Sequence, residues 1–165
     1  ENSLELKIES IAEINEGEIQ MPQTLQRIKE ILEEETMEKY EEKFTDELDE
    51  IVGVYGKHSL STALLLRRII EKAIYFSFVE IGHVDKIRDN GDTVGLESMI
   101  HTARDFEYDG GNRVLANRTG ENLLELKELG DVAAHNFLRT VSMNEIDAEI
   151  HRLEATLEEL PITQT

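Results

Sequence analysis

The 165-residue sequence has no cysteine and only two prolines. Without cysteine the chain cannot form disulfides, thiolate nucleophiles or cysteine-ligated zinc sites. The two prolines, Pro22 and Pro161, lie near the ends of the sequence and interrupt nothing between them. Because the apolar residues between them recur mostly at steps of three and four, the sequence predicts an all-α protein.

Basic residues are also scarce. The chain carries 17 Lys and Arg against 36 Asp and Glu, for a formal net charge of −19. Broad nucleic-acid binding draws its affinity from clustered cations, and an anionic membrane surface attracts cations in the same way. We therefore expect no membrane partner, and RNA as a partner only if a small local basic site forms.

Long uncharged apolar runs are missing too. The longest apolar stretch, residues 63–81, is interrupted by charged side chains that a membrane-spanning helix would not tolerate. We expect a cytoplasmic protein with a real hydrophobic core, since 39% of its residues are hydrophobic. A sequence that begins Glu-Asn-Ser is also expected to be a fragment of a longer protein.

Residues 1–57 are predicted to form an acidic N-terminal helical arm. From Pro22 to about Val52 the apolar spacing predicts one long amphipathic helix, whereas residues 4–15 fit either a helix or a short strand. The acidic face of the long helix is interpreted as solvated, or as a docking strip for a basic partner. A purely structural coiled-coil spacer over 22–52 is a further reading of the same pattern.

Residues 58–165 are predicted to form an up-and-down bundle of four helices. The first helix, beginning at Ser59 or Ser61 and stopping at Gly82, is apolar almost all round and should be the most buried. The other three are expected over about 94–106, 119–138 and 144–160, joined by loops and turns, with Ser142 or Asn144 capping the last.

The third of these helices contains the segment "LKELGDVAAHNF", residues 126–137. Its spacing places a packing face of Leu126, Gly130, Ala133 and Phe137 beside a polar stripe of Lys127, Asp131 and His135. The small residues predict close approach of a neighbouring backbone. The polar stripe predicts that Asp131 reaches the His135 ring, within a crevice shared with the arginines near 67.

Together with "LLLRRIIEKAI" earlier in the chain, this segment resembles the HEPN superfamily of four-helix domains. The resemblance is to a branch often fused to restriction or defence proteins, and it covers about residues 58–160. Lys127 stands where that branch usually has Arg, and Asp131 where it usually has Asn. Arg67 or Arg68, with Glu71, matches the pattern of the earlier helix, and five residues match the later motif directly: Leu129, Gly130, Ala133, Ala134 and His135.

The resemblance implies two alternative functions. Active members are metal-independent ribonucleases, in which His acts as acid or base and an Arg shortly before it steadies the phosphate, across a homodimer. Here His135 would be the catalytic residue, with Lys127 or a central arginine as phosphate partner and Asp131 beside it. No cation occupies positions 128–130, where the family places its arginine.

Our leading hypothesis is a non-catalytic interaction and dimerisation module of a larger protein, in prokaryotic defence or regulation. Its partners would be a second copy and other domains of the full-length protein. His135 is then structural, bonded to Asp131 or to the Arg68–Glu71 region, or it contacts a ligand. No two histidines lie four residues apart, and neither a metal nor a cofactor is predicted. The polar seam is predicted to comprise Arg67, Arg68, Glu71 and Asn136.

Overall fold

The computed structural model of the protein describes residues 23–30 and 43–163, which form an all-α structure. The predicted helix or strand over 4–15 lies outside these residues. Six α-helices are present in the described ranges: α1 (Gln23–Glu30), α2 (Thr45–Val54), α3 (Ser59–Glu80), α4 (Leu96–Asp105), α5 (Asn117–His135) and α6 (Met143–Glu159). Short 3-10 helices cover Val84–Ile87 and Pro161–Thr163.

Two small antiparallel hairpins flank α4, where only loops and turns were predicted. The first pairs β1 (Arg88–Asp89) with β2 (Asp92–Thr93), and the second pairs β3 (Glu107–Tyr108) with β4 (Asn112–Arg113). In the first hairpin Asn90 and Gly91 both have positive φ, 51° and 94°. That conformation matches the right-handed twist of the strands in a two-residue hairpin turn.

Helix α3 lies at the centre of the fold, as its all-round apolar pattern predicted. It contacts α2, α4, α5, α6 and both 3-10 helices. No helix within the described ranges is long and apolar enough to cross a membrane. The largest fully buried side chains come from every part of this core: Leu25, Ile28, Phe44, Ile51, Leu66, Ile69, Ile70, Ile74, Phe78, Ile87 and Leu96.

The prediction of one continuous helix from Pro22 to Val52 is wrong at residues 43–44, which form a turn and a bend. Phe44 is buried there and packs edge-on against Phe76 of α3, at 6.0 Å between ring centroids. Both described parts of the predicted arm share one core with the rest, because α2 packs on α3 and α1 packs on α6. Burial of the Phe44 side chain against Phe76 accounts for the break.

The helices around α5 run antiparallel to it. Lys127 of α5 meets Glu97 near the start of α4, while the Leu115 N–H just before α5 donates to Ala103 near the end of α4. On its other side α5 packs against α6, which is also antiparallel to it. Arg152 pairs with Glu125, and Glu159 accepts from the backbone N–H of Ala116 and from Thr119. The start of α5 is therefore capped by a carboxylate from the end of α6.

The start of α6 is closed by a complete capping box, and Ser142 is the cap. Its hydroxyl accepts from the Glu145 N–H, and the Glu145 carboxylate accepts from the Ser142 N–H. The Ser142 backbone bond, helped by Arg139, lowers the pKa of Glu145 to about 2. The carboxylate is thus ionised, and suited to a helix N-terminus, at any ordinary pH.

We expect Ser142→Ala to lower the free energy of unfolding by about 1 kcal/mol, because one N-terminal N–H of α6 loses its acceptor. Urea denaturation followed by circular dichroism measures the change. Ser61→Ala is the control, since this exposed hydroxyl in the first turn of α3 makes no hydrogen bond within the described chain. Equal stability of the two variants would show that the capping box contributes nothing.

Candidate functional site

The candidate site is centred on the Asp131 carboxylate, which pairs with two cations from different helices. Arg67 of α3 contacts one carboxylate oxygen, and Lys127, one turn earlier on α5, contacts the other at 2.5 Å. The side chains of Arg67 and Asp131 are 25% and 32% exposed, and that of Lys127 only 10%. Because the lysine is nearly buried, it needs these partners to remain charged at low cost.

The same lysine extends the cluster to α4. Its Nζ donates to Glu97 at 2.9 Å, and the hydrogen bond from Lys127 lowers the pKa of Glu97. The His101 ring approaches the other Glu97 oxygen at 3.9 Å. We call Arg67, Glu97, Lys127 and Asp131 the Asp131 cluster. Two cations and two carboxylates join α3, α4 and α5, and the formal charge of the cluster is zero.

Gly130 is what allows α5 to approach α3 beside this cluster. A Cβ built on Gly130 would lie 2.8 Å from Cβ of Arg67 and 3.1 Å from its Cδ. The prediction that Gly130 contacts a neighbouring backbone is therefore wrong, because the nearest atoms belong to the Arg67 side chain. The glycine instead leaves room for the aliphatic part of the Arg67 side chain. The Arg67 guanidinium can therefore reach Asp131, which follows Gly130 on α5.

The predicted placement of His135 is wrong. His135 is the last residue of α5. Its side chain is exposed, and no hydrogen bond or ion pair in the described chain involves that side chain. Asp131 instead pairs with Arg67 and Lys127 through its two oxygens, and no contact joins it to the imidazole ring in the described chain. The predicted polar crevice thus contains the lysine, the aspartate and Arg67, but not the imidazole.

The helix also ends earlier than the predicted residue 138. Asn136, predicted to line the seam, uses its side-chain oxygen to accept from the backbone N–H groups of Leu138 and Arg139, at 3.0 and 3.1 Å. This local turn diverts the chain out of the helix. Phe137, predicted to continue the packing face, therefore lies outside the helix and is 92% exposed.

Arg68 and Glu71 do not join the Asp131 cluster. Arg68 follows Arg67 on α3 but faces α2, where it pairs with the buried carboxylate of Glu47. Lys72 donates to the other Glu47 oxygen at 2.7 Å and to the Lys43 carbonyl at 2.7 Å. No ion pair joins Glu71 to either arginine in the part of the chain that the structure describes, so the predicted seam of Arg67, Arg68 and Glu71 does not form there.

Glu47 is the most buried charged residue described, at 2% relative exposure. Burial by itself would raise the pKa of this carboxyl, but hydrogen bonds from Lys72 and Arg68 outweigh it and leave the pKa below its usual value. The carboxylate therefore stays ionised and fastens α2 to α3. Spacing within α3 could not reveal this contact, because its acid comes from another helix.

The chemistry open to the Asp131 cluster is limited by its own pairing. A phosphate or other anion would have to displace Asp131 or Glu97 to reach Arg67 or Lys127, and among the described histidines only His101 is paired with a cluster residue. Across residues 23–30 and 43–163 no three His, Asp or Glu side chains are arranged to hold a metal ion. The arrangement is that of a charged contact between helices.

Comparison of the chain with protein-family models, with curated proteins and with solved structures finds no match. The interpretation of the site therefore depends on its geometry.

We expect Gly130→Ala to destabilise the fold by about 1–3 kcal/mol, because the added methyl overlaps the Arg67 stem close to its backbone, where the side chain cannot swing away. Gly53→Ala in α2 is the matched control. Its Cβ would meet nothing within 4 Å, so alanine should instead stabilise by about 0.5–1 kcal/mol. Thermal denaturation measures the change in stability for each variant. If both substitutions stabilise the protein, the close approach of Gly130 to Arg67 is contradicted.

We expect Glu47→Gln to cost about 1–3 kcal/mol at pH 7, because Lys72 and Arg68 lose a charged acceptor. Since the folded-state pKa of Glu47 lies below its ordinary value of 4.5, the contribution is fully present above that value and is lost as the pH falls through the folded-state pKa. Urea denaturation at a series of pH values should show the difference between wild type and variant shrinking below pH 4.5. A difference independent of pH would contradict ionisation as its cause.

Proposed function

We propose that the chain is a non-catalytic helical module that associates with a second copy and with other parts of a larger protein. The observation that carries this proposal is the pairing of the site's cations. Arg67 and Lys127 both neutralise Asp131, and Lys127 also neutralises Glu97, so neither cation is left for a substrate. A site consumed by contacts between helices favours a structural and interaction role over catalysis.

The position of His135 supports the same proposal. A general acid or base works beside the cation that holds the phosphate, within hydrogen-bond reach of the reacting atom. Here the imidazole is exposed at the end of α5, while Arg67 and Lys127 are engaged at Asp131. His135 is therefore not paired with Arg67 or Lys127, the cations that the resemblance to nucleases offered as phosphate partners.

We further propose that α3 to α6 form a four-helix bundle of the HEPN type, in which α5 is antiparallel to its three neighbours instead of following the predicted up-and-down order. The antiparallel contacts of α5 with α4 and α6, and the central position of α3, support this arrangement. Gly130, which lets α3 and α5 approach closely, supports the resemblance at one of its motif positions. A cytoplasmic setting in prokaryotic defence or regulation is the part of the proposal that rests on the resemblance alone.

We expect the purified chain to leave structured RNA intact in the presence of a metal chelator, because carboxylates already occupy both Arg67 and Lys127. Gel electrophoresis of labelled RNA measures this, with His135→Ala beside wild type. His151→Ala, which removes an exposed histidine of α6, is the matched control. Cleavage by wild type and His151→Ala but not by His135→Ala would overturn the proposal in favour of a ribonuclease with His135 as acid or base.

A further inference from the structure

Exposed apolar side chains are concentrated at one end of the molecule. The large hydrophobic residues exposed in the described chain number six, and only Val79 lies near the far end of α3. We call the other five the apolar end: Val52, Leu60, Leu64, Phe137 and Leu138. Phe137 and Leu138 are 92% and 86% exposed, values far above those of the helix residues in the group.

The five residues lie toward the same end because of how the helices are joined. Arg67 near the start of α3 packs on Gly130 near the end of α5, so these two termini lie together. Tyr55, between α2 and α3, donates to Asp147 in the first turns of α6 at 2.6 Å. The end of α2, the start of α3, the end of α5 and the start of α6 are therefore neighbours.

The apolar end is also the least acidic part of a strongly acidic chain. Residues 51–70 and 132–144 contain no Asp or Glu, although the whole chain has 36. Lys57, His58 and His135 are exposed there, and no hydrogen bond or ion pair of the described residues involves their side chains. Two chains of charge −19 repel each other wherever carboxylates face carboxylates, and this repulsion is weakest at the apolar end.

We propose that the apolar end is the surface through which two copies of the chain associate, around a two-fold axis passing near Phe137 and Leu138. An apolar patch is complementary to itself, so a symmetric contact needs no opposite charge on the partner. The five side chains expose on the order of 500 Å², a large part of the roughly 800 Å² that each partner buries in a stable interface. This inference rests on the proposed function, since it names the surface of the proposed association.

The test is sedimentation equilibrium of the 165-residue chain over a range of concentrations. Phe137→Asp with Leu138→Asp removes the centre of the patch and adds repulsion, and these exposed loop residues contribute little to the fold. We expect wild type to dimerise and the double variant to bind itself at least about 100-fold more weakly. Val79→Asp is the matched control, because it places the same charge on an exposed apolar site away from the apolar end.

The outcomes separate the two proposals. A wild-type dimer that the double variant leaves unchanged overturns the apolar end as the interface but leaves the proposed association standing. A wild-type chain that is monomeric at millimolar concentration overturns both, and would make the apolar end a surface for a different protein. Circular dichroism checks that the double variant is folded. It must show the same helix content and melting temperature for the double variant as for the monomeric wild type.

A second measurement uses the absence of cysteine from the chain. Leu138→Cys introduces a single thiol near the proposed axis, and Val79→Cys introduces one at the far end of α3. Under mild oxidation we expect the Leu138→Cys chain to form a disulfide-linked dimer at least about tenfold faster than the Val79→Cys chain, because association brings the two thiols together. Equal rates for the two variants would contradict the proposed axis.

Discussion

Two adjacent arginines on α3 hold the helices in place, and the rest of the arrangement depends on them. Arg67 faces α5 and pairs with Asp131, whereas Arg68 faces α2 and pairs with Glu47. Consecutive residues on a helix point about 100° apart, so one dipeptide can serve two neighbours. The chain has a large excess of acidic residues and few cations. These cations stabilise the fold most where they neutralise carboxylates that packing has buried.

This use of the cations limits the chemistry of the site. The residues that would hold a phosphate in a nuclease are the same residues that join α3, α4 and α5. A lysine that is nearly buried between two carboxylates is held by them, and releasing it to a ligand would leave buried charge unpaired. Stability of the fold and binding of an anion at this place are therefore in competition.

The sequence predicted well what depends on local periodicity. The bounds of α3, α4 and α6 and the Ser142 cap agree with the prediction, because apolar spacing and capping residues act within a few positions. The prediction from sequence was wrong where contacts between residues distant in the chain determine the structure. The break at Phe44 follows from packing against Phe76, and Asp131 pairs with Arg67 and Lys127 where a contact with His135 was predicted.

One missed feature did have a sequence signal. Asn90-Gly91 is the dipeptide most typical of a two-residue hairpin turn, yet the segment was predicted only as a loop. Glu47 had no such signal, since its acid is one of many on an amphipathic helix and only its burial against Lys72 and Arg68 distinguishes it. Charge patterns along one helix do not show which carboxylate a neighbouring helix will cover.

The carboxylate of Glu159, which caps the start of α5, has a consequence for the order of folding during synthesis. Helix α5 leaves the ribosome before α6, so the Ala116 N–H and the Thr119 hydroxyl lack their Glu159 acceptor until residue 159 has also emerged. The same late segment supplies Leu153, Leu157 and Leu160 to the core. Until then the nascent chain exposes the apolar surface that these leucines cover.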